Sequence, residues 1–262
     1  MAGRNQNITK GKGKVFIEVY DPGTTTGHGE QYFAQTTEFN LTVASETQDA
    51  YDADEGINTL IEQALTQVDA SGSLITQDMN MDKWNLFVLG LGAQTVNTAS
   101  ATGSTQTLTD VRRGRYFQLG VSAGTPTGVR KATVTSVTKG GTPVTASGNW
   151  TQTAQDIELG RIYIELAAPG IADDDDLVVT YNVAASTRTS VVSKDRQVRC
   201  ALRFVSANTT GDQTDFYMPL VNLIPDGDAA LKGADWQTLG FRFTCLKRDQ
   251  NTERVYIDGR AA

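Results

Sequence analysis

The chain has 262 residues, 39% hydrophobic and 20% charged, enough apolar material for one large domain or two small ones. Its net charge is −7 and its pI is near 4.8, which argues against a protein that grips nucleic acid by its phosphates, since that needs a basic patch. Glycine is abundant at 25 residues and Thr, Val and Ala recur, a mixture that favours short strands and turns over long helices.

In chain order, residues 1–13 read as a flexible N-terminal arm. The stretch through Lys14 is polar and basic (Arg4, Lys10, Lys12, Lys14), with no apolar run, so it is not a secretion signal. Residues 15–20 read as a strand, and 32–43 as a strand or strand pair in which Phe39, Leu41 and Val43 alternate with Glu38, Asn40 and Thr42. Ala44 to Gly56 reads as an acidic loop holding Glu46, Asp49, Tyr51, Asp52, Asp54 and Glu55 and no basic residue. It is either a mobile surface loop or an arm that contacts a neighbouring subunit. Ile57, Leu60, Ile61, Ala64, Leu65 and Val68 then fall at helical spacing, so a short amphipathic helix is expected, stopped by Ser71-Gly72-Ser73. A second short helix is expected within Asp78 to Leu89.

Residues 93–107 are almost only Ala, Thr, Gln, Ser, Asn and Gly and read as a linker. Short strands follow at about 115–121, 132–138, 157–166 and 177–183, separated by turns such as Gly140-Gly141-Thr142-Pro143. They suggest a small Ig-like β-sandwich over 108–186, with Ala184 to Ser190 returning the chain as a second polar link. Strands at 196–205, 214–222, 239–247 and 252–257 complete the first domain. The expected fold is mainly β. A discontinuous domain, 14–92 with 191–262, carries one or two short helices, and an all-β domain is inserted in it.

Chemistry is hard to find. The single histidine, His28, lies in a Gly/Thr-rich loop without the partners of a hydrolytic triad or a Gly-x-Ser-x-Gly elbow. One His and two Cys are too few and too scattered for a zinc site. Gly11-Lys12-Gly13-Lys14 precedes a strand, whereas a phosphate loop follows one. Asp173 to Asp176 reads as a solvated hairpin tip, its spacing being wrong for a calcium loop. Cys200 and Cys245 fall on core-facing sides of their strands and read as buried thiols. Trp84, Trp150 and Trp236 read as core or interface anchors. No window approaches the ~18 apolar residues of a membrane span. No enzyme activity, cofactor, metal or membrane insertion is expected, and the chain is expected to be made and kept in a cytoplasm.

The order of features resembles the major tail tube proteins of long, non-contractile-tailed bacteriophages. The residues that carry the resemblance are Thr42 to Thr47, the acidic segment through Asp54, the segment Ile57 to Val68, Ser71 to Leu89, and Pro219-Leu220-Val221-Asn222-Leu223-Ile224-Pro225-Asp226-Gly227-Asp228 on to Phe243. It covers about 14–92 and 191–262, and leaves the insert outside the common core. It implies a small β-sandwich or half-barrel flanked by a helix, in subunits that join into hexameric rings. The rings stack through a long loop and the terminal segments into a tube. The tube houses a tape measure protein, is capped by a tail terminator, and passes viral double-stranded DNA without tight binding. The location implied is the virion tail, after assembly in the host cytoplasm. The acids Glu46, Asp49, Asp52, Asp54 and Glu55, with Tyr51, become candidates for contacts between subunits or rings, opposite the basic arm (Lys10, Lys12, Lys14). Glu18, Glu38 and Asn40 lie on polar strand faces and become candidates for the channel wall, although Arg199 and Arg203 also fall on a polar face. The alternative is a β-sandwich adhesin or receptor-binding module on a phage or bacterial surface, whose acidic loops read a receptor.

Overall fold

The computed structural model describes residues 8–52, 54 and 56–260. Before the insert lie strands β1 (Gly13–Val19), β2 (Gln31–Phe33), β3 (Thr36–Asp52) and β4 (Thr59–Thr76) and helix α1 (Met81–Phe87). Next come β5 (Gln94–Thr98), β6 (Ala101–Val111), β7 (Arg115–Gln118), β8 (Ala132–Lys139), β9 (Thr142–Val144), β10 (Trp150–Thr151), helix α2 (Ala154–Leu159), β11 (Arg161–Ile164), β12 (Asp175–Val183) and β13 (Ser186–Ser190). The chain ends in β14 (Val198–Ser206), β15 (Thr214–Asp226), β16 (Leu239–Cys245) and β17 (Tyr256–Gly259). The fold is therefore mainly β. It divides into two compact units, residues 1–93 with 191–262, and residues 94–190.

The discontinuous unit is built on one antiparallel sheet in the order β2-β1-β14-β15-β16-β4-β3, with β17 on the first half of β15. Alternation along β14, β15 and β16 turns one face inward. Cys200, Leu202, Met218, Val221, Leu223, Phe241, Phe243 and Cys245 are buried with Phe33 and Leu74. Helix α1 covers part of this face. Asn80 caps it by accepting a hydrogen bond from the Lys83 N–H at 2.9 Å, and Phe87 meets Phe241 edge-on at 6.0 Å. Both cysteines are buried free thiols, each paired in register with Val221. Burial pushes both thiols up, Cys245 to about 11.

The helix expected over Ile57–Val68 is not there. Thr59–Thr76 is a strand paired with β3, and the acidic segment before it is strand as far as Asp52. The physical reason lies in the register. Thr66 and Ile61 are skipped between the pairs Gln67–Glu46 and Leu65–Thr47, and between Glu62–Ala50 and Leu60–Tyr51. Each skip is a bulge that adds one residue to β4. Two bulges stretch the intervals of an alternating strand from two to three residues at these points, and the result imitates a helical stripe. Nor does Ser71-Gly72-Ser73 stop an element. It lies inside β4, where a Cβ on Gly72 would run into the Asn40 carbonyl and the Phe243 ring.

Residues 94–190 form two antiparallel sheets, β6-β12-β8-β9 and β10-β11-β7, around one core of Leu108, Leu119, Ile162, Ile164, Leu177, Val179 and neighbours. The stretches expected as linkers are ordered: β5 pairs with β13 through the full register Thr98–Ser186 to Gln94–Ser190. Thr, Ser and Asn side chains make this ribbon polar on both faces, so it lacks the one-sided pattern that marks a strand. Residues 157–166 are likewise not one strand. Helix α2 occupies 154–159, started by a capping box in which Thr153 and Asp156 exchange hydrogen bonds and ended by Gly160 in the left-handed region. The buried Asp156 carboxyl is held low by the Thr153 hydroxyl and then by Arg161, whose Nε donates to it at 2.6 Å. At 173–175 each acid has a cation: Arg113 for Asp173, Arg112 for Asp174 and Lys139 for Asp175 at 2.6 Å.

Because Gly72 has no room for a side chain, Gly72→Val should destabilise the discontinuous unit by about 1–3 kcal/mol, the usual cost of overpacking. Calorimetry on the intact chain should show its unfolding transition shifted down, and an unchanged thermogram would contradict the packing described.

Candidate interaction surface

Beyond the sheet, β3 and β4 continue together as a free hairpin. Strand β16 pairs with β4 only over Ser71–Thr76, while β3 and β4 stay paired from Val43–Ala70 out to Asp52–Thr59. Every described residue of β4 from Thr59 to Asp69 is exposed. The register sorts this arm into two faces. Val43, Ser45, Thr47, Asp49 and Tyr51 share one face with Ala70, Val68, Leu65 and Leu60. Val43, Tyr51, Leu60, Leu65 and Val68 are all large apolar or aromatic side chains left open to water. The other face carries Glu46, Asp52, Glu62 and Asp69. Residues 36–76 contain eight Asp or Glu and no Lys or Arg. Of the residues expected to act together, Asp49 and Tyr51 therefore lie on the apolar face and Glu46 and Asp52 on the acidic one. Asp54 sits in the turn, where its N–H donates to Asp52 at 2.9 Å. Glu55 lies outside the described residues.

The root of the arm is tied down from the C-terminal side. Arg254 donates to the Val68 carbonyl and lies 3.8 Å from Asp69, and Lys247 pairs with Glu253 at 3.0 Å. A groove there is lined by Val43, Val68, Ala70, Lys247, Arg254 and Val255. The basic segment near the start is anchored through its backbone. Lys12 N–H donates to the Asn208 side chain at 3.1 Å, and Lys10 N–H to the Thr210 carbonyl at 3.4 Å. Lys14 lies over the Tyr32 ring at 5.7 Å.

The three candidates for a polar wall do lie on the sheet face opposite the core. Asn40 pairs with Ser73 and Ser73 with Arg242, and Glu38 pairs with Ile75. Glu38, Asn40 and Arg242 are exposed. Glu18 is on this face too but is engaged locally, accepting from the Gly29 N–H at 2.9 Å and holding the 21–30 loop. Arg203 shares the face and is neutralised by Glu30 at 2.7 Å, with its guanidinium 4.3 Å from the Tyr217 ring centroid. Arg199 is paired in register with Asn222, and its buried Nε has no hydrogen-bond partner among the described residues. At this end Tyr20 donates to the Pro219 carbonyl at 2.7 Å, and burial pushes its hydroxyl up to about 12.

His28 lies 3.2 Å from Asp21 in an exposed loop. Among the described residues, no group of three or more His, Cys, Asp or Glu is placed to hold a metal ion, and no helix is long and apolar enough to cross a membrane. Sequence reasoning missed the double-faced arm and its anchor at Arg254. The one available signal was the odd spacing of Leu60, Leu65 and Val68, which fits a bulged strand as well as a helix. No protein-family model matches the chain, and no curated protein matches it.

The last described strand is held by a charge clamp. Arg260 donates to Asp215 at 2.9 and 3.0 Å and to the Ser206 carbonyl at 2.6 Å. Arg260 first, and then the Ser206 N–H, hold the Asp215 carboxyl below its usual range. Its folded value lies below the unfolded one of about 3.9, so the clamp contributes fully above that pH and is lost as pH falls through the folded value. Amide NMR signals of β17 should therefore shift and broaden on acidification below about pH 3.9, and Asp215→Asn should produce the same change at neutral pH. A β17 indifferent to both would contradict the clamp.

Proposed function

We propose that the chain is a structural virion protein. On this reading it is a subunit of hexameric rings that stack into the tail tube of a long, non-contractile-tailed phage. The observation that carries the reading is the β3–β4 arm, whose apolar face the described residues leave largely exposed beyond the groove at its root. A protein seldom leaves this many large apolar side chains exposed on one face of a projecting hairpin, here interrupted by the Asp49–Gln63 pair, unless something else covers them. A neighbouring copy is the cover that also accounts for the free outer edge of β3, a long edge strand without lysine or proline that would otherwise invite uncontrolled pairing. Closing a ring by pairing such edges removes the hazard, and the arm then reaches an adjacent ring.

In this arrangement the sheet face bearing Glu38 and Asn40 lines the channel. With Arg203 neutralised by Glu30, it presents the carboxylate of Glu38 and the amide of Asn40 beside the exposed Arg242, a mixed surface without a cationic run, past which DNA slides without being gripped. The acidic face of the arm meets basic groups of a neighbour, Lys10, Lys12 and Lys14 among them. The tape measure protein and tail terminator are the further partners. Residues 94–190, a two-sheet unit of Ig-like kind, decorate the tube's exterior.

Electron microscopy with light scattering over a concentration series tests the reading. The wild-type chain should form hollow stacked rings. A variant with residues 45–68 replaced by Asn-Gly, a natural two-residue hairpin turn, should fold with unchanged near-UV circular dichroism and form none. Tubes from the shortened variant, or a wild-type monomer at every concentration, would overturn it.

A further inference from the structure

The connection between β15 and β16 is far longer than a hairpin requires. Two to five residues suffice to join such strands, yet residues 227–238 intervene. This loop carries Trp236, 86% exposed, and Leu231, 73% exposed. Neither contributes to the core of its own chain. Long loops that carry large apolar groups are usually there for contact, and tryptophan is the residue most enriched at the energetic centre of interfaces.

Elsewhere on the same unit a mouth of about 560 Å³ opens between the start of β1 and the start of β3. Its walls include Val15, Phe39 and Phe204, the last two with rings stacked at 5.6 Å. Thr36 and Thr37 supply oxygen acceptors, and Lys12 and Glu38 stand at its rim. The volume is in the range that takes small ring systems. An indole needs an apolar slot and one acceptor for its N–H, and both are present. At 86% exposed, Trp236 does not fill its own chain's mouth.

We infer that the mouth receives Trp236 from a second copy of this chain. The charges argue for a second copy. Trp236 is flanked by Asp235, with Lys232 on the same loop, and the rim presents Lys12 and Glu38. The loop brings two acids, Asp228 and Asp235, and one base, Lys232, so that when it enters, Asp235 beside the indole is matched by Lys12 and Lys232 by Glu38. The inference rests on the self-assembly reading and names a contact within it, separate from the arm.

The test mixes two single variants, Trp236→Cys and Thr37→Cys, under mild oxidation. Cys200 and Cys245 are buried, so the introduced thiols are the ones in reach of an oxidant. Disulfide-linked dimers should form in the mixture and not in either variant alone. Trp236→Ala should raise the concentration at which wild type assembles by roughly tenfold or more, as loss of an interface anchor does, with an unchanged melting temperature, and Trp236→Phe should recover part of it. If wild type forms rings or tubes but the mixture gives no linked dimer, or if Trp236→Ala assembles at the wild-type threshold, this contact is overturned and the tube reading stands. Linked dimers without rings or tubes would uphold the contact and overturn the tube reading. A wild type that stays monomeric, with no linked dimer, overturns both.

Discussion

A two-stranded hairpin satisfies its inner backbone hydrogen bonds by itself but buries almost no side-chain surface, and this imbalance governs the discontinuous unit. Near the sheet, β4 is clamped: Ala70, Gly72, Leu74 and Thr76 are buried against β16 and the core. A few residues further out the same strand has water on both sides. Isolated hairpins are marginally stable at best, so the outer arm is the part of the fold least supported by its own chain. Fully burying one large aliphatic or aromatic side chain is worth roughly 1.5–3 kcal/mol. Val43, Tyr51, Leu60, Leu65 and Val68 are 40–64% exposed, so covering them offers about half of the full value each, about 4–8 kcal/mol in all before costs. Bringing two proteins together costs an estimated 4–15 kcal/mol. One arm on one neighbour is thus near break-even, which favours assemblies where each subunit meets several others at once.

The acidic composition takes on a meaning here that overall charge does not convey. From Val15 to Asp82 the chain has no lysine or arginine, so the arm itself carries only negative charge, and the cations at its root, Arg254 and Lys247, come from the C-terminal segment. In the proposed assembly, like charge disfavours pairing of arm to arm. The acidic face of each arm would there meet cationic surface, such as the Lys10–Lys14 strip or the Arg254 region at the root of another arm. Such steering acts on encounter and register more than on final affinity, while the apolar face supplies the binding energy. The buried thiols and the packed β14–β16 sheet give both faces a rigid base.

How much of this was legible in the sequence depended on whether a segment has two unlike faces. Leu239 to Cys245 alternates cleanly because one side is core and the other is not, and its expected residues are buried. In Val198 to Phe204 the structure buries Val198, Cys200 and Leu202 as expected, leaves Phe204 half-buried, and buries Ala201 on the other face against Tyr20 and Leu220. The β5–β13 ribbon has no buried side, so its threonines and serines gave no period and looked like linker. The arm failed for a different reason: its apolar face is real, but two bulges distort the period toward that of a helix. Helix α2 was hidden by its length of six residues, too short to show a stripe. Among the site candidates, Glu38 and Asn40 follow from alternation alone. That Glu18 is occupied by the Gly29 N–H, and Arg203 by Glu30, depends on the fold of the 21–30 loop, which no local pattern encodes.

The central claim is that the apolar face of the β3–β4 arm is completed by another copy of the chain. Hydrogen–deuterium exchange, comparing dilute subunit with concentrated assembled protein, reads this directly. The account predicts fast exchange across residues 45–68 in the dilute chain and strong protection of the same amides after assembly, with β14 to β16 slow in both. Exchange in the arm that is equally fast in both states would show that nothing covers it, and would contradict the account.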